Sequence, residues 1–297
     1  MHTAATVLLL RETAGQLEVL MMRRGTGLSF MAGMWVFPGG RVDPADASPA
    51  IRSRVPVAAV DRGREDLRTL EGGIVDPETA LTLRVAACRE TFEESGVLLA
   101  RDAAGQPCDP GRVAALQPRR AGVANDAPAF AALLAEEDLY LDVAPLVYWS
   151  HWITPSAEPR RFDTRFFAVA VPAGQGASAD FGELTHHEWV QPARTHEAIE
   201  SGVIRVVPPT LLTLEDLAES HARHGGLETM LTAERGRPVP PIMPRMEAGP
   251  GEVRVLMPWD PGYATAGGEG CDALGGYPEH LLRRRSRVVI PLPQSAR

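Results

Sequence analysis

Lysine is missing: all thirty basic residues of the 297-residue chain are arginine. This excludes Schiff-base chemistry and a lysine general base. Together with abundant Ala, Gly and Pro it reads as a coding bias, which lowers the weight of any single arginine as a functional signal. Cysteine is scarce. Cys88, Cys108 and Cys271 are odd in number and widely spaced, with no Cys-x-x-Cys, so neither a disulfide framework nor a thiolate zinc site is expected. Long hydrophobic runs are lacking too: none approaches the roughly 18 residues of a membrane helix, and Ala4 to Leu10 is too short, without the basic lead of a signal peptide. Positive charge is in deficit. A formal net charge of −8 argues against general binding to nucleic acid, which needs a basic face, so an anionic substrate must be met by a local cationic site or a metal. What remains, 44% apolar and 23% charged residues, suffices for a sizeable core. The expectation is a soluble cytoplasmic protein.

Residues 3–11 and 17–24 are short apolar runs separated by Glu12 to Gly15, which predicts a β-hairpin with a loop of a few residues. A third extended run, Met34 to Phe37, ends at the chain-turning Pro38-Gly39-Gly40. From Arg41 to Gly73 no period is visible, which predicts a loop or irregular helical insertion. Asp76-Pro77-Glu78 is a helix start, with a capping acid and a proline at the first helical position, and Gly96 is the matching stop. Downstream, 128–138, 192–201 and 209–224 read as helical and 146–152 and 161–171 as strands. The last seventy residues are rich in proline and glycine around two short apolar runs. The chain is therefore expected to be one elaborated domain, 1–297, with an insertion at 47–75 and a wrapping extension from about 225.

At about 100° per residue on the helix 76–96, Leu81, Val85, Cys88 and Phe92 form one apolar stripe. Glu90, Glu93 and Glu94 fall on the opposite side. Three carboxylates near a helix C-terminus repel one another and oppose the helix dipole, so a cation should accompany them. Arg89 reaches Glu93 at i+4 and offsets part of the repulsion. The remaining acids suit a hard divalent cation with oxygen ligands, Mg²⁺ or Mn²⁺, and Ala86 and Ala87 on that side leave room for a ligand. An ordinary solvated acidic face is the alternative that local geometry leaves open.

The surrounding pattern is more specific. Gly40-Arg-Val-Asp-Pro-Ala-Asp46 resembles the opening of the Nudix hydrolase signature. Arg89-Glu90-Thr-Phe-Glu93-Glu94-Ser-Gly96-Val97 resembles its close. Asp46 stands where the family commonly has Glu, and 42 residues separate it from Arg89 where the usual box has seven. A box split in this way resembles the branch that cleaves coenzyme A, that of the mammalian peroxisomal coenzyme A diphosphatase. So do Gly33 to Gly40, Trp152 to Pro155 followed by Arg160 to Phe167, and Leu256 to Tyr263. The ending Ser295-Ala296-Arg297 differs from a peroxisomal S-K-L address.

This resemblance implies the Nudix α/β/α sandwich, a mixed sheet between helices. It implies Mg²⁺ or Mn²⁺ held by Glu90, Glu93 and Glu94 with the backbone carbonyl near Gly39–Gly40. One of these glutamates, or Glu183 from a later loop, would take the proton from water. Arg89 would orient the acids, and Asp46 would be structural. Arg23, Arg24, Arg160 and Arg161 are candidates for contacting substrate phosphates, with solvated surface positions as the alternative. Trp149 and Trp152 are candidates for stacking on adenine or lining a pantetheine groove, with core packing as the alternative. The insertion is expected to leave from the rim of the site and to form part of the wall that selects the substrate arm, surface elaboration being the alternative.

The expected activity is hydrolysis of coenzyme A or acyl-coenzyme A to 3′,5′-ADP and (acyl)phosphopantetheine. Diphosphatase activity on ADP-ribose or a dinucleotide is the runner-up, and a non-catalytic binding or sensor protein the rival from another class. The expected partner is a small-molecule nucleotide, with no nucleic acid or membrane; a homodimer is left open.

Overall fold

A computed structural model describes residues 1–27, 31–56, 67–124, 126–179, 184–249, 252–271, 277, 279–282 and 289–291. The first two apolar runs form β1 (His2–Thr13) and β2 (Gln16–Arg24). Their connection is tighter than expected. Only Ala14 and Gly15 lie outside the strands, both with positive φ, 51° and 75°, the pair of left-handed residues that matches the twist of a two-residue hairpin. β3 (Trp35–Val36) continues from β2, while β4 (Gly39–Arg41) returns to β1, with Gly39 opposite Thr6 and Gly40 opposite Ala5. Gly39 has a φ of 154°, and a Cβ there would collide with the Ala5 carbonyl, so this close strand contact admits only glycine.

β5 (Ala100–Arg101) and β6 (Tyr140–Leu141) pair as a separate ribbon. β7 (Val147–Ile153), β8 (Phe162–Ala170), β9 (Leu184–Val190) and β10 (Pro241–Ile242) complete the main sheet. Its order is β10-β7-β8-β1-β2-β3, with β4 also on β1 and β9 also on β2. The β1–β8 and β10–β7 pairs are parallel and the others antiparallel, so the sheet is mixed. The continuous run Val7 to Leu10 marks a strand buried on both faces. Val7 and Leu9 enter one core layer with Leu20 and Met22; Leu8 and Leu10 enter the other with Val19 and Met21.

Helices α1 (Pro77–Ser95) and α2 (Ala127–Glu136) cover the first face through Val85, Cys88, Phe92, Phe130 and Leu134. Helices α3 (Pro208–His224) and α4 (Leu227–Glu234) cover the second through Leu214, Leu217 and Met230. The result is an α/β/α sandwich. Among the described residues no helix is long and apolar enough to cross a membrane.

Two sequence expectations change. The insertion, which the sequence predicts as an excursion, has its described arms in the core: Ile51, Val55 and Leu67 are buried in the layer beneath α1. Hydrogen bonds fasten it further. The Leu141 amide donates to the Arg54 carbonyl at 2.7 Å, Arg165 donates to the Arg68 carbonyl at 2.8 Å, and Arg52 meets Glu78 at 3.2 Å. The C-terminal extension also does more than wrap. It adds β10 to the sheet edge and places Met230, Ile242, Val255, Met257 and Tyr277 in the second core layer. Beyond β10 it forms a small antiparallel sheet of β11 (Arg245–Gly249), β12 (Glu252–Leu256) and β13 (Val289–Pro291).

Candidate active site

The helix α1 begins and ends where its sequence signals lie. Asp76 accepts hydrogen bonds from the Glu78 and Thr79 amides at 3.1 and 3.0 Å, and Gly96 closes the helix in the left-handed conformation, φ 74°. From Leu81 onward the helix is buried almost all round. The acidic side, read as facing away from the core, lies against β4 and the 44–47 turn. Ala86 and Ala87 are fully buried in the apolar layer. Their small size serves packing rather than room for a ligand.

Arg89 organises the acids. Only 2% of it is exposed, and Asp46 beside it is 1% exposed. Its Nε and Nη2 donate to the two oxygens of Asp46 at 2.8 and 3.1 Å, a forked pair. Nη1 donates to Glu90 at 2.9 Å and to Glu93 at 3.0 Å, and Nη2 donates also to the Arg41 carbonyl at 3.0 Å. All five N–H groups of the guanidinium are thereby used. Asp46 in turn accepts from the Asp43 amide at 2.9 Å, which pins the turn that carries it.

Glu94 reaches β4, where its Oε2 accepts the Gly39 amide at 2.7 Å. Glu90 lies over the next residue: a Cβ on Gly40 would come within 2.5 Å of its carboxyl carbon and oxygens. Glycine at 39 therefore admits β1, and glycine at 40 admits the Glu90 carboxylate. Two carboxylates from one helix face thus converge on the Gly39–Gly40 backbone.

The electrostatics follow from counting charges. One guanidinium serves three carboxylates, Asp46, Glu90 and Glu93, in a buried place. Burial raises the pKa of Glu90 from the ordinary 4.5 to about 7; Arg89 pulls it down only in part, while Glu93 and Asp46 add to the rise. Arg89 is desolvated, which opposes its charge, but its bonds and proximity to Asp46, Glu90 and Glu93 prevail and its pKa rises.

The donors fit a hard divalent cation in kind: the carboxylate oxygens of Glu90 and Glu94 beside the half-buried Gly39–Gly40 backbone. Among the described residues no three His, Cys, Asp or Glu side chains form a ready cage, and the carboxylates are held by Arg89 and the Gly39 amide. That suits an ion that binds through one or two carboxylates and keeps several waters.

The remaining candidates separate. Glu183 lies outside the described residues. Met21 and Met22 enter opposite core layers, so the pleat directs Arg23 to the face away from α1 and Arg24 to the face that α1 covers. Arg160 is exposed in the turn before β8. Arg161 in the same turn donates to the Thr154 carbonyl at 3.2 Å and pairs with Glu269 at 3.1 Å, which fastens the C-terminal extension. Strand β1 lies between β8 and β4, so neither arginine of this turn adjoins the Gly39–Gly40 strand. Trp149 and Trp152 are buried in the second layer, across the sheet from α1. Trp152 is therefore a core residue rather than a stacking platform.

Sequence reasoning missed Arg120, Gln117 and Ser178, which meet the C-terminal end of α1. Arg120 donates to the carbonyls of Glu93 and Glu94 at 3.0 and 2.7 Å, and Gln117 donates to that of Gly96 at 2.9 Å. No local pattern marks them, because the partners at the helix end lie 21 to 27 residues away for Gln117 and Arg120 and 83 (178 − 95) for Ser178.

A family model described as NUDT19 Nudix domain matches residues 2–217. The human protein named acyl-coenzyme A diphosphatase NUDT19 is 31% identical over 229 residues, covering 68% of this chain and 60% of that protein. Putative nudix hydrolase 7 of Caenorhabditis elegans is 28% identical over 218 residues, covering 73% of this chain and 61% of that protein. The chain thus spans about three fifths of the length of these curated relatives. Among solved structures, the crystal structure of a NUDIX hydrolase from Alicyclobacillus acidocaldarius is similar, with a TM-score of 0.59 and 27% identity over 80% of this chain and 98% of that one.

Proposed function

The chain belongs to the NUDT19 Nudix domain family, and on that footing we propose that it is a metal-dependent diphosphatase that cleaves coenzyme A or acyl-coenzyme A into 3′,5′-ADP and (acyl)phosphopantetheine. The observation that carries the chemistry is the convergence of the Glu90 and Glu94 carboxylates on Gly39–Gly40, beside the Arg89 guanidinium that holds Asp46, Glu90 and Glu93. The choice of substrate rests on the named human relative and on the split box.

Cleaving a diphosphate requires water in line with one phosphorus and neutralisation of charge on the phosphoryl oxygens and leaving group. A bound Mg²⁺ or Mn²⁺ supplies that neutralisation and acidifies a water. Glu90 and Glu94 would hold it, with the Gly40 backbone carbonyl, and Glu93 stands one helical turn from Glu90. Arg89 fixes the rotamers of Glu90 and Glu93 through one nitrogen and is itself fixed by Asp46. This order confines the acids before substrate arrives, so little reorganisation accompanies the reaction. Arg24, at the end of β2 on the α1 face, is the arginine of the original four best placed to meet a phosphate.

The test is a hydrolysis screen with Mg²⁺ or Mn²⁺ over coenzyme A, acyl-coenzyme A, ADP-ribose, NADH and sugar nucleotides, with product masses recorded. Release of 3′,5′-ADP and phosphopantetheine is expected. Preferential turnover of ADP-ribose or a dinucleotide would replace the substrate assignment, and absence of turnover with any of them would refute the diphosphatase reading.

A further inference from the structure

The last turn of α1 carries Glu93 and Glu94 but holds none of the means to stabilise itself. It has two acids and no basic residue, at the end of a helix where the macrodipole already amounts to about half a negative charge. Its final carbonyls also need donors that the helix cannot supply. The Phe92 carbonyl receives the Gly96 amide at 2.9 Å. The Ser95 carbonyl receives the Ser178 amide at 2.9 Å. The two between them, of Glu93 and Glu94, receive Arg120: Nη2 at 3.0 and 2.7 Å, with Nε also 3.3 Å from Glu93.

Arg120 itself is held. It is 8% exposed, and its Nη1 donates to the Ser178 hydroxyl at 2.8 Å and to Gln117 at 3.3 Å. Its Nη2 also reaches the Ser178 carbonyl at 3.2 Å. A delocalised guanidinium in this position satisfies two carbonyls and places a positive charge against the helix end. It also joins that end to the segment leading towards β9.

We infer that Arg120 is a positioning residue for the glutamates: by holding the Glu93 and Glu94 carbonyls it fixes the backbone from which those side chains reach Arg89 and the Gly39 amide. The proposal rests on the diphosphatase reading for its effect on turnover. Its structural content is independent of that reading, because the bond from the Gly39 amide to Glu94 reports glutamate placement without metal or substrate.

The experiment compares the parent with Arg120→Met, Arg120→Lys and Gln117→Ala, each well below its own melting temperature. Amide hydrogen exchange at Gly39 is measured in EDTA, Mn²⁺ affinity by electron paramagnetic resonance titration, and kcat and KM on coenzyme A. For Arg120→Met the expectation is exchange at Gly39 faster by about tenfold or more while β1 core amides keep their protection. Mn²⁺ binding weakens about tenfold and kcat falls about 10- to 100-fold, with KM little changed. Arg120→Lys, which keeps the charge but not the fork, is intermediate. Gln117→Ala, which frees the Gly96 carbonyl and removes the 3.3 Å contact to Arg120 but leaves Arg120 on Ser178 and on the Glu93 and Glu94 carbonyls, lowers the melting temperature and moves the other readouts much less than Arg120→Met does.

Unchanged Gly39 exchange in folded Arg120→Met overturns the proposal whatever happens to activity. An equal response from Gln117→Ala overturns it as well, since the effect is then general loss of stability. If the parent itself neither binds Mn²⁺ nor turns over, the functional reading fails while Gly39 exchange still decides the role of Arg120. Should Arg120→Met fail to fold, Gly39 exchange in Arg120→Lys decides: acceleration supports the role and parent-like protection refutes it.

Discussion

Replacing Glu90 with glutamine should stabilise the metal-free protein and do so only above a defined pH. The Glu90 side chain is 12% exposed, and its pKa is about 7 against an ordinary 4.5. In the folded state the carboxyl therefore keeps its proton to a higher pH than in the unfolded chain. Below about pH 4.5 both states are protonated and the group costs nothing. As pH rises towards 7 the unfolded state gains by ionising first, so folded stability falls; above 7 the full cost remains. At 1.36 kcal/mol per pH unit this amounts to about 3 kcal/mol.

Glutamine keeps the carbonyl that accepts from Arg89 and never ionises, so Glu90→Gln should recover most of that cost, about 5 °C in melting temperature for a chain of this length. Urea unfolding in EDTA at pH 5 and pH 8 measures it. The gain should be about 3 kcal/mol at pH 8 and about 0.8 kcal/mol at pH 5. A gain below about 0.5 kcal/mol at pH 8, or one of equal size at both pH values, would refute the picture of a carboxylate desolvated by burial. Added Mn²⁺ should stabilise the parent at pH 8 more than the variant, as a ligand that binds only the folded state.

Glu94→Gln should lower kcat on a diphosphate substrate by at least about 100-fold while the circular dichroism spectrum and melting curve stay close to the parent's; near-normal turnover in the purified variant counts against its role. Phe92 is fully buried and lies 6.0 Å from the Phe130 ring, so Phe92→Ala should cost about 3–5 kcal/mol in urea unfolding. A parent-like midpoint would mean that α1 is turned differently. Leu67→Ala, in the insertion, should cost about 2–5 kcal/mol because Leu67 is fully buried beneath α1. A neutral result would restore the insertion to the status of a surface loop. Exchanging all of 47–75 for a short Gly/Ser linker removes Ile51, Val55 and Leu67 from the core together, so loss of folding is expected, read as loss of the cooperative thermal transition.

Much of the architecture was legible because it is local. The hairpin β1–β2, the bounds of α1 at Asp76 and Gly96, and the double-sided burial of Val7 to Leu10 follow from turn chemistry, capping and periodicity, which act within a few residues. The pairing of Arg89 with Glu93 was legible for the same reason, being one turn of helix. The family resemblance carried the assignment of Glu90, Glu93 and Glu94 further than periodicity did. A helical wheel placed the acids opposite the apolar stripe and suggested a solvated face. In the folded protein that face is covered by β4 and by the turn carrying Asp46, and only this covering desolvates Glu90 enough to move its pKa.

The tertiary structure alone decided which side chains from distant segments share the site. The fork from Arg89 to Asp46 spans 43 residues, the Gly39 amide meets Glu94 across 55, and Arg120 caps Glu93 across 27. Nothing in an arginine's neighbours along the chain distinguishes Arg120, which organises a helix end, from Arg161, which fastens the extension, since both occur in Arg-Arg pairs of an all-arginine protein. Likewise, composition could not show that Trp152 is core or that the insertion supplies Ile51 and Leu67 to it. Local sequence determines φ/ψ preferences and faces; which faces meet depends on strand pairing and helix packing over long loops, and those contacts set the burial on which the site's electrostatics rest.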